Sequence, residues 1–383
     1  MKKNKVLIPT SVVFGASLAL MLRLAFSFVG HNYDMRSYMV VSDLVLDGCN
    51  VYEHTSRYNY GMFWAYILAG CRYLAKFFQE YELQIFHCAI VLVLWVVDFA
   101  ISLILNQRYS TKVALCFILF PTSLLLNGYH CQMDNCAVLL AYISWIILEQ
   151  NPKRWQLSAV LLACSLIQKH IFIFFPLWIF INKDLLECKI KLFYCSVVYS
   201  LFLIGFLPFC NSITTVFNIY TNVFAYDSAN GVALLPYISK QFLSNNTYQQ
   251  VLQQDIFKYI FIISIVVIGF LLKNKRQLLF YGYCVAVVAC SSALVNQYLI
   301  IPIVALSLRC SRLTLLYAIA STLFLTLRSN SNIGSTQILQ ELLLQLPCQT
   351  LIIVVCSLYF CQALLIIHLY LLITQTKILN TQT

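Results

Sequence analysis

The chain has 383 residues, 61% of them hydrophobic and only 10% charged, with a formal net charge of +11 and a mean hydropathy of +0.80. That balance excludes a soluble globular domain, and the repeated long apolar runs read as an all-α polytopic membrane protein. The runs are continuous and do not alternate at period two, which excludes a β-barrel, and the basic residues sit singly or in small groups at run ends, which excludes a nucleic-acid patch.

Lys2, Lys3 and Lys5 keep the N-terminus in the cytoplasm. Residues 6–29 are too long for the apolar core of a signal peptide and read as the first spanning helix. That helix delivers residues 31–60, HNYDMRSYMVVSDLVLDGCNVYEHTSRYNY, to the far side of the membrane. Asp34, Arg36, Asp43, Asp47, Glu53 and Arg57 cluster there in a chain otherwise poor in charge. Between Asp34 and Gly48 the apolar residues Tyr38, Val41, Leu44 and Val45 recur at helical spacing with polar residues interleaved. The pattern predicts a helix lying along the membrane surface, stopped by Gly48.

Residues 61–78 are apolar enough to cross, yet crossing would turn most later basic groups outward. A re-entrant or interfacial helix on the far side is therefore expected. Further spans are expected at 83–105, 113–127, 135–148, 155–168, 170–181, 190–209, 257–272, 278–295, 298–308, 313–327 and 351–373. With the first, that makes a bundle of about 10–12 transmembrane helices with both termini inside. Several fall short of the ~20 residues a bilayer needs, and 155–168 and 170–181 are expected to be tilted or broken. Long far-side loops are left at 210–256 and 328–350. No internal repeat or flexible linker appears, so residues 1–383 read as a single domain.

The sixteen cysteines show no metal-ligand spacing. Cys116, Cys164, Cys284, Cys356 and Cys361 lie inside apolar runs, where a thiol is a small hydrophobe. No metal site and no cofactor is expected. Walker, GxGxxG, GxSxG and HExxH patterns are missing, which removes nucleotide and hydrolase readings.

The polar residues that could carry chemistry fall in four places. Asp34 is positioned to act as a general base, or is simply an acid favoured in a helix's first turn. The turn Asn127-Gly-Tyr-His-Cys-Gln-Met-Asp-Asn135 offers His130, Gln132 and Asp134 to a sugar or phosphate, although Asp134 and Asn135 also suit a helix cap. Lys169, with His170 beside it, is costly in hydrocarbon unless paired or snorkelling, and near a cavity it suits a phosphate. Asn296-Gln297-Tyr298 reads as ligand contacts or as an interfacial anchor. Arg36, Arg57 and Tyr60 complete the set of expected substrate-binding residues.

Arg23 and Asp98 lie inside spans, where ionisable groups are functional candidates. At ~1.5 Å per residue Arg23 sits about 10 Å below the far surface and Asp98 nearer 20 Å, which speaks against direct pairing. Only if 83–105 ran the other way would the depths match, and the sequence leaves this open.

In their order, these clusters resemble the GT-C superfamily of polytopic glycosyltransferases, above all the catalytic subunit of GPI mannosyltransferase I and bacterial polyprenyl-phosphate-mannose-dependent transferases. The family's Asp-x-Asp falls on Asn32-Tyr-Asp34, followed by Gly48, Tyr52 and Tyr58-Asn-Tyr60, and its next-span acid on Asp98. Pro121 and Asn127 with the turn ending at Asp134 look like its Pro…Asn…Gly-Gln-x-Asp region. Lys169 with Pro176, and Asn296-Gln297-Tyr298, match its later Lys–Pro and Ser-Gln-Tyr. The likeness covers roughly residues 32–176, with one short motif beyond.

The resemblance implies inverting transfer of a hexose, mannose above all, from a polyprenyl-phosphate donor to a glycan or lipid acceptor, with Asp34 as the base. Asn32 replaces the family's first acid, which puts metal binding by paired carboxylates in doubt. A bacterial inner membrane is the expected location, multi-pass, with the site on the periplasmic or lumenal face. The alternatives are a transporter or flippase lined by Asp98, Arg23 and Lys169, and a polysaccharide polymerase. A polymerase would be expected to carry arginine-rich far-side loops, and residues 210–256 contain no arginine.

Overall fold

A computed structural model describes residues 8–225, 233–245, 247, 255–328 and 347–374, with side chains in the last segment from 356 onward. Among them every regular element is a helix. Helix α1 (Thr10–Val29) buries one stripe, Val12, Gly15, Ala16, Ala19, Arg23 and Ser27. Its small residues let neighbouring backbones approach closely. Asn32 then caps α2 (Tyr33–Leu46), its Oδ1 accepting from the Asp34 amide at 3.1 Å. The helix ends as its sequence predicts: Gly48 takes φ +72°, and the Gly48 and Cys49 amides reach back to Val45 and Leu44 at 3.1 and 2.8 Å.

The one-turn helix α3 (Val51–His54) leads through Tyr58 and Tyr60 to α4 (Met62–Ala75). Met35, Tyr38 and Val41 of α2 are buried, and Tyr38 meets Trp64 of α4 edge-on at 5.8 Å. The chain breaks at Phe78 (φ −116°, ψ 50°) before α5 (Glu82–Arg108). Arg72 of α4 pairs with Glu82 at 2.7 Å and lies 5.7 Å over the Phe86 ring, so α4 folds back along α5 and does not continue its axis. Arg72 also binds Asp43 of α2 at 3.1 Å, and the other end of α4 meets Ile167 through Gly61.

The remaining helices are α6 (Thr111–Ile118), α7 (Pro121–Gly128), α8 (Asp134–Gln150), α9 (Trp155–Gln168), α10 (Phe175–Ile181), α11 (Cys188–Ile204), α12 (Ile213–Ile219), α13 (Leu234–Phe242), α14 (Ile256–Leu272), α15 (Leu279–Ala289), α16 (Ile303–Leu306), α17 (Arg312–Arg328) and α18 (Pro347–Thr374). Helices α8 and α9 are joined by Ser144 and Ser158, each donating to the other's carbonyl at 2.7 and 2.9 Å. Side chains that bond across helices in this way hold apolar bundles together.

Among the described residues four stretches are long and apolar enough to cross a membrane: Thr10–Val29, Met62–Arg108, Cys188–Phe209 and Cys356–Thr374. The pair α6–α7, bent by 44° ahead of Pro121, makes five if counted as one span. These helices are compatible with a membrane protein. Full-length helices are thus fewer than the crossings expected from sequence. The other apolar helices run to at most 17 residues, and backbone broken at membrane depth is tolerated only where protein surrounds it.

Two polar zones stand at opposite ends of α8, which at ~1.5 Å per residue is about 25 Å long. Asp134 opens the helix beside Gln132 and Lys169. At its other end Glu149 binds Arg108 at 2.5 Å, and Arg276 donates to the Glu149 carbonyl. That end also gathers Lys275, which donates to Leu372 and Ile373 carbonyls, and Asn182, which joins Lys191 to the Lys273 carbonyl.

Between the zones, Arg23 and Asp98 are wholly buried and bonded at 2.6 Å. The depth argument against pairing fails here without any reversal of α5. Gln84 reaches the Ser27 carbonyl and Trp95 the Ala16 carbonyl, so α1 and α5 run antiparallel. Helical side chains tilt toward their own N-termini, so Arg23 leans down and Asp98 leans up, closing the gap. The Asp98 carboxylate also accepts from Ser123 (3.1 Å), Asn127 (2.7 Å) and Asn135 (2.6 Å), fastening α1, α5, α7 and α8 at one point.

Candidate active site

The site end is built by three short connections. The α1–α2 turn carries Asn32 and Asp34. The α7–α8 turn carries His130 and Gln132. The segment after α9 carries Lys169 and His170. Cys131 (φ +53°) holds the second of these in a left-handed conformation, which strains a side-chain-bearing residue and is seen most at functional sites.

Asp34 is half-buried, and its two oxygens differ. Oδ2 accepts from Asn32 Nδ2 at 2.8 Å and from Gln132 Nε2 at 2.6 Å. Among the described residues Oδ1 meets no hydrogen-bond donor. The orientation of Asn32 is fixed because its own Oδ1 receives the Asp34 amide. Asn32 Nδ2 also lies 3.2 Å from His130 Nδ1 and directs its second hydrogen there, so Nδ1 is the acceptor and the ring proton sits on Nε2. Burial holds the His130 imidazole at about 4, well below its usual range, so it is neutral near pH 7. The neutral ring thus brackets Asn32.

Lys169 is the cation of the site, 4% exposed. Its ammonium donates to both oxygens of Asp134 at 2.8 Å and lies 5.2 Å from the Tyr60 ring and 5.7 Å from the Tyr298 ring. The snorkelling alternative is therefore replaced by a buried ion pair in an aromatic cradle. The cap reading of Asp134 and Asn135 fails as well. Their side chains turn inward, to Lys169 and Asp98, and Met133 precedes α8 without a capping side chain. Gly61 makes the cradle: a Cβ there would stand 1.9 Å from the Ile167 carbonyl, so only glycine lets Tyr60 approach the end of α9.

A cavity of about 290 Å³ opens beside Lys169, between the 170–174 segment, α14 and α15. His170 and Tyr298 line it with apolar Ile171, Phe174, Phe261 and Ile301, and Lys258 and Ser291 add polar groups. The Asp34 and Lys169 stations are close enough that Asp34 and Asp134 sense one another's charge.

Of the residues singled out in the sequence, Asp34, His130, Gln132, Asp134, Lys169, Tyr60 and Tyr298 are brought together in this region. His170 borders the cavity. Gln297 is half-buried and makes no hydrogen bond among the described residues. Arg36 is exposed and makes no ion pair among the described residues, and Arg57 is exposed with its guanidinium 5.2 Å from the Tyr33 ring, so neither joins the cluster. Three residues were not read from sequence: Asn32 as the bracket, Lys258 at the cavity, and Tyr38. The Tyr38 hydroxyl is buried with no hydrogen-bond partner among the described residues, and its phenol is pushed well above the usual range by burial and by Tyr60, Asp34, Cys131 and Asp134. Tyr38 lies one helical turn from Asp34, a spacing that could have flagged it.

Among the described residues no group of three His, Cys, Asp or Glu side chains is placed to hold a metal ion. Where the family has an acid, the Asn32 amide donates hydrogen bonds. No family model, curated protein or solved structure matches this chain, and the GT-C likeness stands on its short motifs alone.

Proposed function

We propose that this chain is a membrane glycosyltransferase that moves a hexose, with mannose as the expected sugar, from a polyprenyl-phosphate donor to a glycan or lipid acceptor with inversion. The observation that carries the reading is the asymmetric clamp on Asp34. Two amides fix one oxygen and leave the other open, at the same end of the bundle as a buried lysine bordering a largely apolar cavity.

An acceptor hydroxyl is a poor nucleophile until a base removes its proton, and a positioned base contributes typically 10²–10⁴-fold. The free Oδ1 of Asp34 takes that proton as the acceptor oxygen attacks the anomeric carbon. The bond from that carbon to the phosphate oxygen breaks on the opposite side, and the lipid phosphate leaves with the electron pair. Lys169 faces the growing charge on the phosphate, and Asp134 holds the ammonium in place, so little reorganisation is needed at the moment of reaction. An apolar cavity with a cation at its rim suits a phosphate on a hydrocarbon chain. The transporter alternative is weakened because its ionisable groups are bound to one another, Arg23 to Asp98 and Lys169 to Asp134.

The test is Asp34→Asn in purified full-length protein with a synthetic polyprenyl-phosphate mannose and a panel of acceptors. Folding and donor binding should be kept and transfer should fall by at least ~10². Asp43 is engaged by Arg72 and Lys76 at 3.1 Å and Asp47 is exposed at the helix end, so Asp43→Asn and Asp47→Asn should transfer normally. Near wild-type transfer by Asp34→Asn, with loss in either of the others, would show that the wrong carboxylate has been assigned.

A further inference from the structure

We propose that the cavity at the opposite end of the bundle is a binding site for a phosphate-class oxyanion, separate from the transfer site. The cavity has a volume of about 350 Å³ and is lined by Gln107, Arg108, Tyr109, Glu149, Gln150 and Gln277. Every one of these side chains is polar, unlike the largely apolar cavity beside Lys169.

The charge at this end is not balanced. Arg108 pairs with the Glu149 carboxylate, while Arg276 donates to the backbone carbonyls of Leu148 and Glu149 and has no carboxylate partner among the described residues. Arg108 uses Nη2 on Glu149, while its Nε and Nη1 are buried and meet no hydrogen-bond partner among the described residues, as does Nε of Arg276. Unpaired guanidinium N–H groups are costly once out of water, and phosphate oxygens are strong acceptors for them. Gln107, Gln150 and Gln277 are exposed at the rim and supply further amide donors.

The wall is rigid. Tyr281 of α15 bonds Tyr109 at 2.6 Å and Tyr142 of α8 at 2.7 Å, a row of phenols that ties the end of α5 to α8 and α15. The site is thus preorganised, and binding an anion there costs little ordering. Basic pockets between helices near a membrane surface are where anionic headgroups dock, but free phosphate presents the same oxygens.

The experiment follows thermal unfolding of the full-length protein in detergent during titration with inorganic phosphate, against chloride at equal ionic strength. A second arm compares nanodiscs of phosphatidylcholine with and without phosphatidic acid. The variants are Arg108→Gln and the double change Gln150→Leu/Gln277→Leu, which leaves the Arg108–Glu149 pair intact should the first fail to fold. Saturable stabilisation by phosphate, by phosphatidic acid or by both, weakened about tenfold in the variants, supports the site. A response to the lipid alone identifies a headgroup as the occupant, and one to free phosphate alone identifies a soluble anion. Equal stabilisation by chloride, an unchanged response in the double variant, or no response in either arm overturns the proposal.

Discussion

Asp98→Asn is the substitution with the largest calculable consequence for the fold. Arg23 and Asp98 are both fully buried and 2.6 Å apart, and the carboxylate also gathers Ser123, Asn127 and Asn135. Neutralising Asp98 leaves the Arg23 guanidinium buried without a counter-charge, which costs about 3–5 kcal/mol. Ser123→Ala removes one neutral donor from the same carboxylate and should cost only ~0.5–1.5 kcal/mol. A double change of Arg23 and Asp98 to leucine does not simply restore stability, because Ser123, Asn127 and Asn135 then lose their shared acceptor. Thermal unfolding and monodisperse yield in detergent give the ranking, with Asp98→Asn well below Ser123→Ala and Ser123→Ala close to wild type. Specific activity of whatever Asp98→Asn protein folds should be near normal, since neither member of the pair touches the candidate site. Stability of Asp98→Asn within ~1 kcal/mol of wild type would refute the account of the pair as the fastening of four helices.

Two further outcomes are expected. Lys169→Met should weaken donor binding by roughly 1–3 kcal/mol, and Lys169→Met/Asp134→Asn should fold better than the single variant, which strands a buried carboxylate, without recovering affinity. Unchanged donor affinity in either would remove the phosphate role from Lys169. The depressed His130 value of about 4 makes the neutral ring the folded form, so its contribution to stability is complete above the unfolded value near 6.5 and is lost as pH falls toward 4. A shift of that size corresponds to roughly 3 kcal/mol at full effect, so thermal stability measured from pH 7 to pH 4.5 should fall less steeply in His130→Asn than in wild type. Superimposable curves would contradict the buried neutral histidine.

The site was more legible in the sequence than the fold. Asp34, the α7–α8 turn, Lys169 and Tyr298 stand out because charge and amide groups are scarce in an apolar chain, and such groups are costly unless they meet partners. Gly48 was readable as a helix stop because its φ of +72° is one that side chains resist. What the sequence hid was the pairing. Composition gives depth along a helix but not the lean of a side chain, so Arg23 and Asp98 looked mismatched although they bond. Arg36 and Arg57 share the charge-rich stretch with Asp34, but helix phase and loop geometry leave both exposed, and linear proximity could not reveal this. The crossings expected from sequence outnumber the long apolar helices among the described residues, because hydropathy cannot separate a full span from a short helix sheltered by its neighbours.

Asn32 is where the chain departs from the motif it otherwise resembles, and the geometry shows what the departure does. As asparagine it caps α2 through Oδ1 and donates through Nδ2 to Asp34 and toward His130. Aspartate caps a helix equally well, so Asn32→Asp should leave stability nearly unchanged in that respect. It would, however, replace the donor by a second carboxylate oxygen at about the 2.8 Å contact now made to Asp34 Oδ2. Two carboxylates so close do not both ionise freely, and the pair titrates with one value raised. It would also set an oxygen against the lone pair of His130 Nδ1, favouring a protonated ring. Because the base must be ionised to act, the acid limb of the pH–rate profile should move upward by about one unit or more. Transfer rates measured from pH 5 to 9 in Asn32→Asp and wild type make the comparison. A profile with an unmoved acid limb would mean that Asp34 is not the titrating base, or that Asn32 does not hold it.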